Sequence, residues 1–154
     1  IGGGDYAADR IVPDCVRSLR RNEAIFVRNP AATRPWQHVL DCLGGYLLLG
    51  SKLATAGKNP RFATAFNFGP PAASNRTVGE LVTEALKTWP GEWTTHADPH
   101  ALHEAALLHL ATDKAAQWLR WFPVWDFEET VRHTMNWYQH RHGRRRTDLV
   151  AFFP

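Results

Sequence analysis

The chain has 154 residues, a length that fits one domain and excludes two full domains. Hydrophobic residues make up 44% of it and charged residues 21%, a composition that excludes a disordered or fibrous protein. The net charge is +3, and the whole excess lies after position 140, so most of the chain is electrically neutral. No apolar stretch reaches the roughly 20 residues that cross a bilayer, and no signal sequence is evident. We therefore expect a soluble, cytoplasmic protein.

The first part of the chain predicts a glycine-rich loop, a helix and a β-hairpin. The loop covers residues 1–5, and a helix is predicted over 13–21, where a proline suits the first turn and apolar residues share a face. A strand over 24–28 is followed by a turn and by a returning strand over 33–39. Pro35 confines this second strand to an edge or a bend.

The middle of the chain predicts a buried helix and a buried strand. Residues 40–56 are apolar almost all round and contain Gly44 and Gly45, which predicts a buried helix closely approached by another backbone. Residues 63–68 form a continuous apolar run that ends at a Gly-Pro-Pro turn. This pattern is typical of a parallel strand at the centre of a sheet.

The last part of the chain predicts three helices. Thr77 and Glu80 form a capping box that begins the first of them, and a short strand is predicted over 93–96. A second helix covers 113–121 and the third begins at Asp126, its N-cap. The apolar stripe of this last helix consists of Phe127, Val131, Met135 and Tyr138. The whole pattern predicts a helix-rich α/β fold with about five helices.

Common catalytic and metal-binding motifs are absent from the sequence. The opening glycines lack the residues that complete a P-loop or a dinucleotide fingerprint. His96, His100 and His103 would align as zinc ligands on a continuous helix, but Pro99 disrupts that helix. We therefore expect no metal site there, and a polar loop instead. The aromatic residues of the stretch 118–125 are assigned to the core, and Cys15 and Cys42 to free buried thiols.

Five segments, in their order and spacing, carry a resemblance to a known family. They read IGGGDYAADRIVPDCV, IFVRNPAATRPWQHVLDCLGGYLLL, AFNFGP, HEAALLHLATDKA and VWDFEETVRHTMNWY. Together they resemble the C-terminal part of the sugar-nucleotide 4,6-dehydratases, which are extended short-chain dehydrogenases, and most of all the branch that acts on CDP-glucose. The resemblance implies a sugar-nucleotide-binding domain over 1–140, followed by a basic tail of unclear structure over 141–154.

The resemblance implies substrate-binding roles for residues in the first two segments. Arg34 matches the arginine that contacts the substrate pyrophosphate, a task that suits a planar, permanently charged group. Arg10 matches a basic position at the start of the helix that closes over the diphosphate, and Ile11 would line the nucleotide pocket. Ile25 and Val27 would flank the base.

Further binding roles fall on the later segments. Asn67 matches a position that hydrogen-bonds nucleotide or phosphate, the alternative being an asparagine that ends a strand. His103 and Glu104 match a pair typical of the CDP-sugar branch. Arg120 stands where the family has a glycine, and three expected polar side chains are replaced. The replacements are Ala106, Leu107 and Ala111.

The catalytic part of the family's reaction is missing from this sequence. In the family, a tyrosine and a lysine four positions later act with NAD in the N-terminal half, and none of the three tyrosines here is followed by such a lysine. We therefore expect no catalytic residue and no cofactor in this chain, NAD being expected of the complete family member. The chain looks truncated.

The resulting expectation is the CDP-glucose-binding part of a dehydratase that makes CDP-4-keto-6-deoxyglucose, catalytically incompetent on its own. One alternative is a non-catalytic partner or scaffold domain with a degenerate pocket. Another, less favoured, is nucleic-acid binding through the basic segment 140–146, although such tails are usually solvated. Because the strand over 63–68 lacks a neighbouring sheet, we expect the chain to self-associate or to be poorly stable as a monomer.

Overall fold

The computed structural model describes residues 1–55, 60–95 and 108–143. Within these residues the fold is a helix-rich α/β arrangement, which confirms the predicted class. The helices are α1 (Ile11–Arg20), α2 (Val39–Thr55), α3 (Val78–Thr88), α4 (Asp113–Leu119) and α5 (Phe127–Gly143). The strands are β1 (Ile25–Phe26), β2 (Thr33–Pro35), β3 (Asn75–Thr77) and β4 (Trp93–Thr94). No helix of the described ranges is long and apolar enough to span a membrane.

The larger hydrophobic cluster lies between α1, α3 and α5. Each helix contributes one apolar stripe, and the predicted stripe of α5 is buried along its whole length. The hydroxyl of Tyr138, at the end of that stripe, donates to the carbonyl oxygen of Asp5 at 2.6 Å, which ties the N-terminal loop to α5. Cys15 is buried here as a free thiol, as predicted, and burial raises its pKa to about 12.

A smaller cluster lies between α2 and α4. Phe68, Leu119 and Trp121 are buried in it, and Phe68 lies against Gly45, where any larger side chain would collide with its ring. The predicted core position of Trp121 is confirmed, whereas Phe122 is 65% exposed.

Backbone geometry at the end of α4 supports this cluster. Arg120 adopts a left-handed conformation (φ 54°, ψ 36°), and the amide of Trp121 then reaches the carbonyl oxygen of Ala115 at 3.3 Å. The following loop is held by the buried carboxylate of Asp41, which accepts the amides of Val124 and Trp125 at 2.9 and 3.3 Å.

The two predicted N-caps, Thr77 and Asp126, are confirmed by their contacts. The hydroxyl of Thr77 accepts the amide of Glu80, and the carboxylate of Glu80 accepts the amide of Thr77. Asp126 Oδ1 accepts the amide of Glu129 at 2.8 Å. These contacts satisfy amides that have no partner within the helix.

The predicted hairpin is wrong. β1 pairs in parallel with β4, and β2 pairs antiparallel with β3, so the two strands that were expected to join each other take different partners. The turn between them docks instead on the start of α3. Gly79 donates its amide to Pro30, and Val78 donates to Ala32, each at 2.9 Å. These two hydrogen bonds satisfy amides of the first turn of α3. They hold the turn against α3, so the chain after it does not run back alongside β1.

Two predictions for the middle of the chain are also wrong. Residues 63–68 form no strand, because none of the described strands pairs with them in a ladder. Helix α2 is not buried, since most of its large apolar side chains are exposed. The close approach at Gly45 comes from the Phe68 side chain rather than a backbone, and the space beside Gly44 is open within 4 Å.

Candidate functional site

Two adjoining cavities lie where the start of α1 faces β2. The larger has a volume of about 640 Å³ and the smaller about 190 Å³. Ile11, Arg34 and Trp36 line both cavities and therefore form the boundary between them. A ligand made of two bulky groups joined by a charged linker would place that linker at this boundary.

Arg34 is positioned by strand pairing. It lies in the middle of β2, directly opposite Arg76 of β3, and its side chain is half-buried. Its Nη1 donates to the carbonyl oxygen of Thr33 at 2.8 Å. A guanidinium held in this way keeps its permanent charge and presents a planar set of donors.

Arg10 lies immediately before α1 and has an extended backbone (φ −116°, ψ 132°). Its carbonyl oxygen accepts the amide of Asp14 at 2.9 Å, the first bond of the helix. The side chain lines the larger cavity, is 69% exposed and lies 3.8 Å from the carboxylate of Asp5. Such an exposed ion pair is weak, so the guanidinium can exchange this carboxylate for a ligand anion.

The walls of the smaller cavity come from β1 and from residues that follow β2. Val27 lines it and is buried, and Trp36 is held by an indole N–H that donates to the carbonyl oxygen of Arg76 at 2.9 Å. Trp36 was not predicted as a site residue. Its place two positions after Arg34 is a usable signal, because such residues share a face of extended chain.

Acidic side chains share this region. Asp9 and Asp14 line the smaller cavity, and Asp5 lines the larger one. Asp9 lies 4.0 Å from Arg28, which also lines the smaller cavity. The cavities therefore present both signs of charge, and Arg34 is the cation at their junction.

One end of the larger cavity is lined by residues around the start of α2. His38 is among them, and burial lowers its pKa below the ordinary value of 6.5, which favours the neutral imidazole at pH 7. Its Nδ1 accepts the amide of Leu40 at 3.2 Å, so the neutral ring carries its proton on Nε2. Sequence reasoning did not identify His38, because a lone histidine before an apolar helix carries no distinctive spacing.

The structure brings together four of the predicted site residues. These are Arg10, Ile11, Val27 and Arg34.

The other predicted site residues lie elsewhere or outside the described residues. Ile25 is fully buried in the larger hydrophobic cluster and lines neither cavity. The side-chain amide of Asn67 donates to the carbonyl oxygen of Ala111 at 3.2 Å, away from both cavities. His103 and Glu104 lie in the undescribed range 96–107, as do the other histidines weighed as zinc ligands. Among the residues that are described, no group of His, Cys, Asp and Glu could hold a metal ion.

Comparison with curated proteins confirms the family resemblance. The chain is 38% identical over 141 residues to a CDP-glucose 4,6-dehydratase of Salmonella typhimurium, an alignment that covers 90% of this chain. It spans only 38% of the length of that relative. No protein-family model matches the chain.

Solved structures show the same fold. A UDP-glucose 4-epimerase matches 94% of this chain at a TM-score of 0.76 and 20% identity. A dTDP-glucose 4,6-dehydratase from Bacillus anthracis, in complex with NAD, matches 91% of it at 0.68 and 18%. The match covers 45% and 42% of those chains, respectively. The described fold is therefore that of the C-terminal portion of the extended short-chain dehydrogenases.

Proposed function

We propose that this chain is the sugar-nucleotide-binding part of a CDP-glucose 4,6-dehydratase and that it binds CDP-glucose across the two cavities. The observation that carries the proposal is the position of Arg34, which lines both cavities at their junction. The CDP-glucose dehydratase relative, 38% identical over nine-tenths of this chain, supports the choice of ligand.

The arrangement fits the three parts of such a ligand. The diphosphate would lie at the junction, where Arg34 and Arg10 donate charge-assisted hydrogen bonds. The first amides of α1, a ten-residue helix, add their partial positive charge on the same side. The flat base would enter the smaller cavity beside Val27, and the sugar would occupy the larger one, near the Nε2 donor of His38.

Among the described residues, the glycine-rich N-terminal loop does not fit NAD. A dinucleotide-binding loop leaves its glycines open to the pyrophosphate. Here, a side chain on Gly2 would collide with Val39, and one on Gly3 would collide with the ring of Trp137. These glycines serve the packing of the N-terminal loop. We therefore propose binding without turnover for this chain, and assign the redox chemistry to the rest of a complete dehydratase.

Isothermal titration with CDP-glucose and with CDP tests the proposal. Replacing Arg34 by alanine should weaken binding by about 1.5 to 3 kcal/mol, the range for hydrogen bonds to a charged group, which is roughly ten- to a hundredfold in Kd. Arg132→Ala is the matched control, because Arg132 is exposed on α5 and lines neither cavity. It should bind as the unmodified chain does.

Two results would overturn the assignment of the site. One is the absence of binding heat with either ligand from a chain that circular dichroism shows to be folded. The other is an equal loss of affinity in the Arg34 and Arg132 variants, since a specific diphosphate contact predicts a loss only for Arg34.

A non-catalytic partner domain is the second candidate function. It is favoured by the ion pairs of Arg10 with Asp5 and of Arg28 with Asp9, which give the cavity cations partners within the chain. A folded chain that binds neither CDP nor CDP-glucose would support this candidate.

A further inference from the structure

Arg34 lies directly opposite a second arginine in the ladder of β2 and β3. The register pairs it with Arg76, and residues that are opposite each other in an antiparallel ladder carry their side chains on the same face. Like charges in this arrangement repel each other and destabilise the ladder. An anion bound at Arg34 would relieve this repulsion, so the pairing of the two arginines favours an anion there.

Arg76 lines neither cavity, yet it is connected to the boundary between them. Its carbonyl oxygen accepts the indole N–H of Trp36, which lines both cavities. Its Nη1 lies 3.5 Å from the carboxylate of Glu80, a member of the capping box of α3. Its guanidinium carbon lies 5.9 Å from the ring centre of Phe127, the first residue of α5. Arg76 is therefore a fixed charge next to the site that does not form part of its wall.

Glu80 places a negative charge at the same ladder. Its carboxylate accepts the amide of Thr77 at 2.7 Å, and Thr77 lies opposite Thr33 in the register. The guanidinium of Arg34 donates to the carbonyl oxygen of Thr33. Hydrogen bonds from the amide and hydroxyl of Thr77 lower the pKa of Glu80 below its ordinary value, so the carboxylate is ionised at pH 7. The ladder therefore carries two positive charges and one negative charge close together.

The exposure of Arg76 and Glu80 limits how strongly they act on an anion at Arg34. Their side chains are 42% and 48% exposed, and solvent at such positions screens a charge without cancelling it over a distance of several ångströms. We expect each charge to change the affinity of the anion about threefold in dilute salt. The two effects have opposite signs, because Arg76 attracts the anion and Glu80 repels it.

We propose that the Arg76–Glu80 ion pair sets the affinity of Arg34 for the diphosphate, Arg76 raising it and Glu80 lowering it, with neither side chain touching the ligand. This inference rests on the proposed function, which places the diphosphate at Arg34. It makes Arg76 a positioning residue, which acts through its charge and through its ladder partner. It also gives the pairing of two arginines a role that folding alone does not provide.

Isothermal titration of the 154-residue chain with CDP, in about 20 mM salt at pH 7, tests the ion pair. Arg76→Met keeps an unbranched apolar chain beside Phe127 and removes the charge, so the Kd should rise about threefold. Glu80→Gln removes the repelling charge, so the Kd should fall about threefold. The double variant should bind nearly as the unmodified chain does, because the two removed charges compensate each other.

Arg21 and Glu23 provide the matched control pair. They form an exposed ion pair at 2.9 Å and line neither cavity. Arg21→Met and Glu23→Gln change the net charge by the same amounts and should leave the Kd unchanged. Arg76→Lys, which keeps the positive charge, should also bind as the unmodified chain does.

Salt separates an electrostatic effect from a structural one. At about 1 M salt the screening length falls to roughly 3 Å, so the differences between the variants should disappear. Weaker binding by both Arg76→Met and Glu80→Gln, or differences that persist at high salt, would overturn this inference and leave the proposed function standing. A folded, unmodified chain that does not bind CDP would overturn the proposed function, and this inference with it.

Discussion

Replacing Arg120 by glycine should stabilise the protein. Arg120 ends α4 in the left-handed region, at φ 54°, where a side chain beyond glycine crowds its own backbone. The strain at such a residue is about 1 to 2 kcal/mol. Glycine also gives the unfolded chain more conformational freedom, which offsets part of the stability gained by relieving the strain. We therefore expect a net gain of about 1 kcal/mol in the free energy of unfolding. The family that this chain resembles has a glycine at this position, which agrees with the expected gain.

Urea denaturation and thermal melting followed by circular dichroism measure this gain. For a domain of this size, 1 kcal/mol corresponds to about 2 to 4 °C in Tm. Arg120→Ala is the control, because alanine removes the same charged side chain and keeps the strain. If the alanine variant gains as much as the glycine variant, the effect comes from the lost guanidinium, and the reasoning from backbone strain is refuted.

Two further changes test the contacts that organise the helices. Asp41→Ala should lower the free energy of unfolding by about 2 kcal/mol, because the amides of Val124 and Trp125 lose a charged acceptor; an unchanged urea midpoint would show that the loop is held in another way. Glu80→Gln should destabilise the protein at pH 7, and the destabilisation should shrink as the pH falls below 4.5. Hydrogen bonds from the amide and hydroxyl of Thr77 lower the pKa of Glu80 below its ordinary value of 4.5, so its contribution is present above that value and is lost as the pH falls through the folded pKa. Melting curves of both proteins across this range provide the measurement, and a constant difference would contradict the assignment.

Local signals predicted the helices well. The capping box at the start of α3 consists of Thr77 and Glu80, and the cap of α5 is Asp126, so a few neighbouring residues mark each of these helix ends. The apolar stripe of α5 has the helical period over about three turns, and its burial in the larger cluster followed from that period.

Strand partners were not predictable in the same way. The alternation that marks a strand does not identify the strand beside it, and β2 found β3 some forty residues later rather than β1. The apolar run of residues 63–68 likewise needs a neighbouring strand to become one, and no such neighbour is among the described residues. The prediction that α2 is buried was wrong for a related reason. A helix with apolar residues all round indicates a surface that can be covered, but its sequence does not show which element covers it.

The candidate site was predicted through a resemblance, and the structure adds its geometry. Arg34 and Ile11 are far apart in the sequence, and strand pairing with β3 and the docking of α1 bring them to one boundary. His38 was missed because its role depends on which elements meet there, whereas Trp36 could have been found from its place two positions after Arg34.

The division of the core into two clusters has a consequence for how the protein opens. Arg10 and Arg34 stand on elements that belong to the larger cluster, whereas α2 and α4 are joined by a small one. Small cooperative units open at lower free energy than the whole fold. Amides of α4 should therefore exchange with solvent before those of α3 and α5. The boundary between the two cavities, where the diphosphate is proposed to bind, would then stay intact while α2 and α4 open locally.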